Sequence, residues 1–145
     1  MKGYFGVGIY HNKYDDNLGM LFRTAHAVGA SFVFTIGTRY HKPATDTPKS
    51  WKNIPLYQYT DFADFKRSVP LGAEVVAIEM DDDSVLLKEF QHPKQAVYLL
   101  GAEDYGLTQD ILDKCDHVVR LDTKFSLNVA VCGSIVLYDR ISKLG

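Results

Sequence analysis

Three short segments of the chain combine residue types and spacings that could do chemistry. The first is Asn17-Leu-Gly19-Met-Leu-Phe-Arg23. Gly19 and Arg23 are four apart, so on a helix they share one face. A glycine there leaves room for a ligand or a backbone to approach, and Arg23 would project over the cleared space. The planar guanidinium suits phosphate, because its fork can pair with two oxygens. The plain alternative is a helix start capped by Asn17, with a surface arginine. The second segment is Leu99-Leu100-Gly101-Ala-Glu103-Asp-Tyr-Gly106-Leu107. It reads as a strand entering a glycine-rich turn and then a helix. Ligands of open α/β sheets bind beyond the carboxyl ends of strands, which here means Gly101 to Gly106. No Lys-Ser/Thr pair follows the second glycine, so this is not a phosphate-binding loop, and Glu103 would repel phosphate. A neutral or cationic ligand held by backbone groups fits better; an ordinary strand–turn–helix connection fits too. The third segment is Val119-Arg120-Leu121-Asp122-Thr123-Lys124-Phe125-Ser126-Leu127-Asn128. Ser126 begins a helix and could be no more than its N-cap. Asn128, beside a buried helix start, needs partners for its amide, and a ligand could supply them.

The elements that must position these segments alternate. Apolar, β-branched runs predict strands at Gly3 to Tyr10, Ser31 to Ile36, Leu56 to Tyr59, Glu74 to Glu79, Ala96 to Leu100 and His117 to Leu121. Helical spacing marks Asn17 to Gly29, Asp61 to Ser68 with Asp61 as N-cap, Thr108 to Lys114 capped by Thr108, and Ser126 to Leu144. Arg39 to Asn53 reads as a loop with room for a short helix. Asp81 to Asp83 reads as a solvated turn. Strands alternating with helices imply an α/β fold with a mostly parallel sheet flanked by helices. The last helix is apolar around nearly its whole circumference, from Leu127 through Ile141. Such a helix is buried on more than one side. Its second partner is another subunit, or it is the central helix of a monomer.

At 145 residues the chain makes one domain, 1–145, large enough for a real core. A net charge of −2 excludes a uniformly basic nucleic-acid-binding surface but permits a local patch. Cys115 and Cys132 form no Cys-x-x-Cys pair, which argues against a zinc knuckle or a redox dithiol and favours a reducing, cytoplasmic setting. Cys132 reads as a small buried hydrophobe. His11, His26, His41, His92 and His117 lack metal-ligand spacing, so no metal is expected. No run is long enough to span a membrane, and the N-terminus does not read as a signal peptide. Gly6-Val-Gly8 starts like a dinucleotide fingerprint, but His11 stands where its third glycine belongs.

Taken together and in order, the three segments resemble the signature of the SpoU–TrmH family of SPOUT methyltransferases. The family pattern is Asn-x-Gly-x-x-x-Arg, then Gly-x-Glu-x-x-Gly-Leu, then Ser-Leu-Asn-Val. This chain has Asn17, Gly19 and Arg23; Gly101, Glu103, Gly106 and Leu107; and Ser126, Leu127, Asn128 and Val129. The resemblance covers essentially the whole chain.

The resemblance implies S-adenosyl-L-methionine-dependent methylation of a ribose 2′-hydroxyl in RNA, tRNA being favoured over rRNA. It implies a C-terminal deep trefoil knot and a homodimer with its active site near the subunit interface. The cofactor-binding positions it implies are Leu100, Gly101, Glu103, Gly106, Arg120, Leu121, Ser126 and Asn128. The catalytic set is Arg23, Asn17, Ser126 and Asn128, with Arg23 orienting the RNA phosphate and helping to activate the 2′-hydroxyl. Lys13, Arg39, Lys42, Lys49, Lys52 and Lys124 would face RNA. Two positions depart from the family: Asp16 stands where a proline often precedes Asn17, and Leu121-Asp122-Thr123 replaces Ile-Pro-Met. Asp122 would bring a negative charge near the cofactor loop. A noncatalytic RNA-binding relative of the same fold, or an unrelated nucleotide-binding regulatory domain, are the competing readings.

Overall fold

The computed structural model describes residues 3–37 and 54–145. The strands are β1 (Tyr4–Tyr10), β2 (Phe32–Ile36), β3 (Leu56–Tyr59), β4 (Glu74–Ile78), β5 (Val85–Leu86), β6 (Gln95–Leu100) and β7 (His117–Arg120). The helices are α1 (Asp15–Ala27), α2 (Phe62–Ser68), α3 (Gln109–Asp113) and α4 (Val129–Leu144). Among the described residues one seven-stranded sheet runs in the order β3-β2-β1-β6-β4-β7-β5. Every pairing in it is parallel. The two-residue β5 and the 3-10 turn at Leu87–Glu89 were not anticipated, because neither is long enough to show a period. Arg39, Lys42, Lys49 and Lys52, and the loop that carries them, lie outside the described residues.

Strand side chains alternate between two cores, as the pleat requires. Phe5, Val7 and Ile9 of β1, Val76 and Ile78 of β4, and Ala96, Tyr98 and Leu100 of β6 face one side, where Leu18, Leu21 and Phe22 of α1 and Val136 and Leu137 of α4 cover them. Phe34, Ile36, Val75, Ala77, Val97 and Leu99 face the other, under Phe62 and Phe65 of α2 and Ile111 and Leu112 of α3. Gly6 and Gly8 belong to this packing and not to a nucleotide. A Cβ on Gly6 would lie 2.3 Å from the Phe32 ring, and one on Gly8 would lie 2.4 Å from the Phe34 ring. The two glycines make room for aromatic rings of the neighbouring strand.

The helix starts differ from expectation in two places. Asn17 is not the cap of α1: Tyr14 holds that position, and Asn17 lies inside the first turn, buried. Ser126 does not begin α4. Asn128 caps it, its Oδ1 accepting from the N–H groups of Ala130 (2.9 Å) and Val131 (3.2 Å). Asp61 and Thr108 cap α2 and α3 as their sequence positions predict.

At the amino ends of β1 and β6, α4 is fastened by a buried polar cluster. Arg140, 3% exposed, donates to the carbonyls of Pro93 and Lys94 (each 2.6 Å) and to the Tyr98 hydroxyl (3.1 Å). His92 bridges Tyr98 Oη and Asp139 Oδ2, 2.7 Å from each. The cluster fixes the far end of α4, so that its N-terminus is held at the carboxyl edge of the sheet.

Candidate functional site

The carboxyl ends of β4, β6 and β7 are adjacent in the sheet, and the chain leaves each of them in a turn: Glu79-Met80, Gly101 to Gly106 and Leu121 to Asn128. Between these turns and the start of α1 lies a cavity of about 780 Å³. Its walls include Asn17, Leu100, Gly101, Glu103, Gly106, Arg120, Leu121, Ser126 and Asn128. All three sequence segments therefore contribute to one concavity, at the place where open α/β sheets receive ligands.

A hydrogen-bond relay ties the three segments together. Asn128 Nδ2 donates to Asn17 Oδ1 (2.8 Å). Asn17 Nδ2 donates to Glu103 Oε1 (2.8 Å). The second oxygen of Glu103 accepts the Lys13 N–H (2.9 Å). Asn128 is exposed rather than buried, and protein groups satisfy its amide at both ends. The side-chain polar atoms of Asn17, Glu103 and Asn128 are committed to one another, which leaves backbone groups as the natural contacts for a ligand.

The turn after β6 closes on itself through an isolated bridge between Ala102 and Gly106. Glycine is required at both ends. A Cβ on Gly101 would lie 2.5 Å from the Gly106 carbonyl carbon. Gly106 has φ +63°, and a Cβ there would meet Glu79 Oε2 at 2.6 Å. Glu79 in turn holds the loop, its Oε2 accepting from Leu107 N–H (2.7 Å) and its Oε1 from Met80 N–H (3.0 Å).

Other residues sit elsewhere than the sequence suggested. Arg120 lines the cavity, but its guanidinium donates to the Ser84 carbonyl and to Ser84 Oγ (3.0 Å), pinning the turn before β5. Asp122 is 73% exposed, pairs with Lys88 at 3.9 Å and does not line the cavity, so the departure from the family motif places no charge inside it. Arg23 is exposed on α1, outside the cavity walls. A Cβ on Gly19, one turn earlier, would meet nothing within 4 Å, so the helix face beside Arg23 is open.

Sequence reasoning missed Glu79, Met80, Tyr14, Tyr105 and Cys132 as wall residues. Glu79 was detectable in principle, because it follows a buried strand at its carboxyl end. Cys132 is half-buried, one turn into α4, with its thiol pushed up to about 11 by burial and further by Glu79. It stays a neutral thiol. Asp16, Glu79 and Glu103 thus line the cavity, while Arg120, the one arginine among its described wall residues, is engaged with Ser84. The interior favours a cation and disfavours phosphate.

α1 and α4 also share an outward face. Met20, Val131, Ile135 and Tyr138 are 40–66% exposed there, beside Thr24 and Ser134, which are linked by a 3.1 Å hydrogen bond. The expectation that α4 is apolar all round is met in this sense: one side faces the core and the other carries unpartnered apolar groups.

Known proteins share the fold and part of the sequence. The tRNA (guanosine(18)-2′-O)-methyltransferase of Escherichia coli K12 is 26% identical over 129 residues, covering 85% of this chain. The chain spans 56% of that relative's length. The crystal structure of the AdoMet-bound rRNA methyltransferase from Sinorhizobium meliloti superposes with a TM-score of 0.87 at 26% identity, over 100% of this chain and 58% of that one. A structure described as giving insights into 2-OH methylation of C/U34 on tRNA shares the fold, with a TM-score of 0.83 at 24% identity over 99% of this chain and 98% of its own. The sequence profile of the SpoU rRNA Methylase family matches residues 5–138, nearly the full length, and the chain belongs to that family.

Proposed function

We propose that this chain, as a single methyltransferase domain spanning residues 1–145, transfers a methyl group from S-adenosyl-L-methionine to a ribose 2′-oxygen of RNA. tRNA is favoured over rRNA, following the names of the relatives it matches. One observation carries the reading: residues from each of the three motifs, Asn17 alone from the first, line a single cavity at the carboxyl ends of β4, β6 and β7. The residues present fit the cofactor. The volume suits a ligand of that size. The acidic surround of Asp16, Glu79 and Glu103 suits a sulfonium, and the side-chain relay leaves backbone groups to hold it.

Leu100, Gly101, Gly106 and Leu121 would hold the cofactor with their backbone. Glu103, Asn17 and Asn128 keep those loops in register, and Arg120 anchors the loop floor. Ser126 is exposed at the wall, where it can meet the cofactor or the incoming ribose. The cofactor supplies an electrophilic methyl group. The protein's work is to set the 2′-oxygen in line with it and to ease loss of the hydroxyl proton as the new bond forms. Arg23 pairs with the RNA phosphate and lowers the cost of that proton loss.

The same reading includes a homodimer, formed on the α1/α4 face. Arg23 is exposed on α1, next in sequence to Thr24 of that face. A deep trefoil knot at the C-terminal end accords with β7 lying between β4 and β5. No described helix is long and apolar enough to cross a membrane, and a tRNA substrate favours a cytoplasmic setting.

The test is calorimetric titration with S-adenosyl-L-methionine, followed by transfer of labelled methyl groups to bulk tRNA. A ribose 2′-O-methyl group makes the adjoining phosphodiester resistant to alkali. Micromolar cofactor binding and label retained in alkali-resistant dinucleotides are expected. A folded protein that binds RNA but neither cofactor nor its demethylated product would instead be a noncatalytic relative.

A further inference from the structure

Exposed aromatic side chains that neither core uses stand at the cavity, two of them in its walls and a third on a loop that contributes to them. Tyr105 is 76% exposed, Phe125 78% and Tyr14 52%. They come from three separate loops: the turn after β6, the loop before α4 and the approach to α1. Tyr14 and Tyr105 line the cavity itself, and Phe125 lies between Thr123 and Ser126, which also line it. The loops of Tyr14 and Tyr105 are fixed relative to each other. Lys13, next to Tyr14, is bonded to Glu103 through its N–H (2.9 Å) and lies 4.0 Å from Asp104, next to Tyr105. Thr123 Oγ1 donates to the Phe125 carbonyl (2.8 Å) and holds the third loop in shape.

Exposed apolar groups gathered at one opening mark a binding surface. Charge tells what approaches it. The carboxylates of Asp16, Glu79 and Glu103 lie in the cavity walls, whereas Lys13 and Lys124 are exposed outside, each next to one of the rings. A polyanion is therefore kept at the rim, with its phosphates beside the lysines and only its uncharged parts directed inward. The flat groups of RNA that remain are its bases. Aromatic side chains recognise unpaired bases by stacking, whatever the base, because every base has a π-face. Lys13 Nζ already sits 5.3 Å from the centre of the Tyr14 ring, so Tyr105 and Phe125 offer the more open faces.

We propose that Tyr105 and Phe125, flanked by Tyr14, form a stacking platform for the base of an unpaired nucleotide, so that the RNA acted on presents its target in a loop or single strand. The platform rests on the methyltransferase reading for its purpose but can be tested without it. The probes are fluorescein-labelled oligo(A) and the same strand annealed to oligo(U), followed by anisotropy. Tyr105→Leu and Phe125→Leu should each weaken single-strand binding by about tenfold, with duplex binding much less affected. Tyr105→Phe should keep the wild-type affinity. Calorimetric affinity for S-adenosyl-L-homocysteine should not change in Phe125→Leu, whose ring is not a wall of the cavity, and melting temperatures should stay close to wild type in all three because the rings are exposed.

Unchanged single-strand affinity in both leucine variants would overturn the proposal. So would a matching loss of S-adenosyl-L-homocysteine affinity in Phe125→Leu, which would make the ring part of the cofactor's own site. A wild-type protein that binds no S-adenosyl-L-homocysteine, yet loses single-strand affinity in the leucine variants, would uphold the platform and remove the methyltransferase reading.

Discussion

Asn128 Nδ2 donates to Asn17 Oδ1 at 2.8 Å, across 111 residues of chain. This one bond joins the start of α4 to the first turn of α1, and through Glu103 it reaches the turn after β6. Each amide does two jobs. Asn128 caps α4 with its oxygen and reaches Asn17 with its nitrogen; Asn17 accepts from one neighbour and donates to the other. No shorter or charged side chain can serve both contacts. That explains why amides stand at these two positions without asking either of them to touch a ligand.

Asn17→Asp tests the relay. The new carboxylate can still accept from Asn128, but its other oxygen faces Glu103 Oε1 where a donor stood at 2.8 Å. Two carboxylates that close cannot both ionise, so one keeps its proton to a higher pH in the folded state than in the unfolded chain. A folded-state value raised above the unfolded one gives stability that is present at acid pH and lost as pH rises through it. The variant should match wild type in acid and be destabilised by about 2 kcal/mol at neutral pH, the cost of a broken buried hydrogen bond. Denaturant melts across the pH range check this. A deficit independent of pH would mean that Asn17 and Glu103 do not meet in solution.

Much of this arrangement was legible in the sequence, and the reasons are specific. β1, β4 and β6 are continuous apolar runs because both of their faces are buried, so they could be read directly. Asp61 and Thr108 announced their helices because caps act locally. The role of Asn17 could not be read that way. Its type and position suit an N-cap, and only the arrival of Glu103 and Asn128 from distant segments turns it into a bridge. Glu79 was passed over for a similar reason: nothing near it in sequence shows that its carboxylate will hold Leu107. The side chains of Arg120 and Asp122 point to Ser84 and Lys88, both in the stretch where the sequence is least patterned.

Arg23→Ala tests whether catalysis and cofactor binding are separable. Arg23 is exposed on α1 and is not a wall of the cavity, so its loss should leave S-adenosyl-L-methionine affinity unchanged. Methyl transfer to tRNA should fall by about a hundredfold or more, the scale expected when a group that positions and activates the nucleophile is removed. Calorimetry and single-turnover transfer measured on the same preparation decide it. A parallel loss of both would place Arg23 in the cofactor site instead.

Ile135→Asp tests the pairing of two copies. Ile135 is 40% exposed in the middle of the α1/α4 face, with Val131 and Tyr138 on either side along the helix. A carboxylate there costs little in a monomer, because water reaches it. Between two copies it would be desolvated without a partner. Sedimentation should show wild type as a dimer and the variant as a folded monomer that still binds cofactor but transfers methyl groups poorly. A monomeric wild type would remove the dimer and leave this face without a purpose.

His92 gives the fold its own pH response. Its ring is enclosed, Phe90 stands edge-on to it, and burial holds it below its ordinary value of 6.5, opposed by its hydrogen bond to Asp139. Tyr98, whose hydroxyl is pushed up to about 12 mainly by burial, stays protonated. Its O–H therefore donates to Nδ1, Arg140 donates to its oxygen, and the Nε2–H donates to Asp139. The cluster is satisfied with a neutral imidazole. Lys143, 2.9 Å from Asp139, adds to the positive surroundings. Because the folded-state value lies below the unfolded one, the unfolded chain takes up the proton first. Stability is full above the unfolded value and falls as pH drops below 6.5, until the folded-state value is passed. His92→Gln should be less stable than wild type at neutral pH, since it cannot span both partners. The difference in unfolding free energy between the two proteins should shrink as the pH falls from about 7 to about 5. A difference that stays constant over that range would mean that His92 is already free to protonate in the folded protein, and that the cluster fastening α4 is open to water.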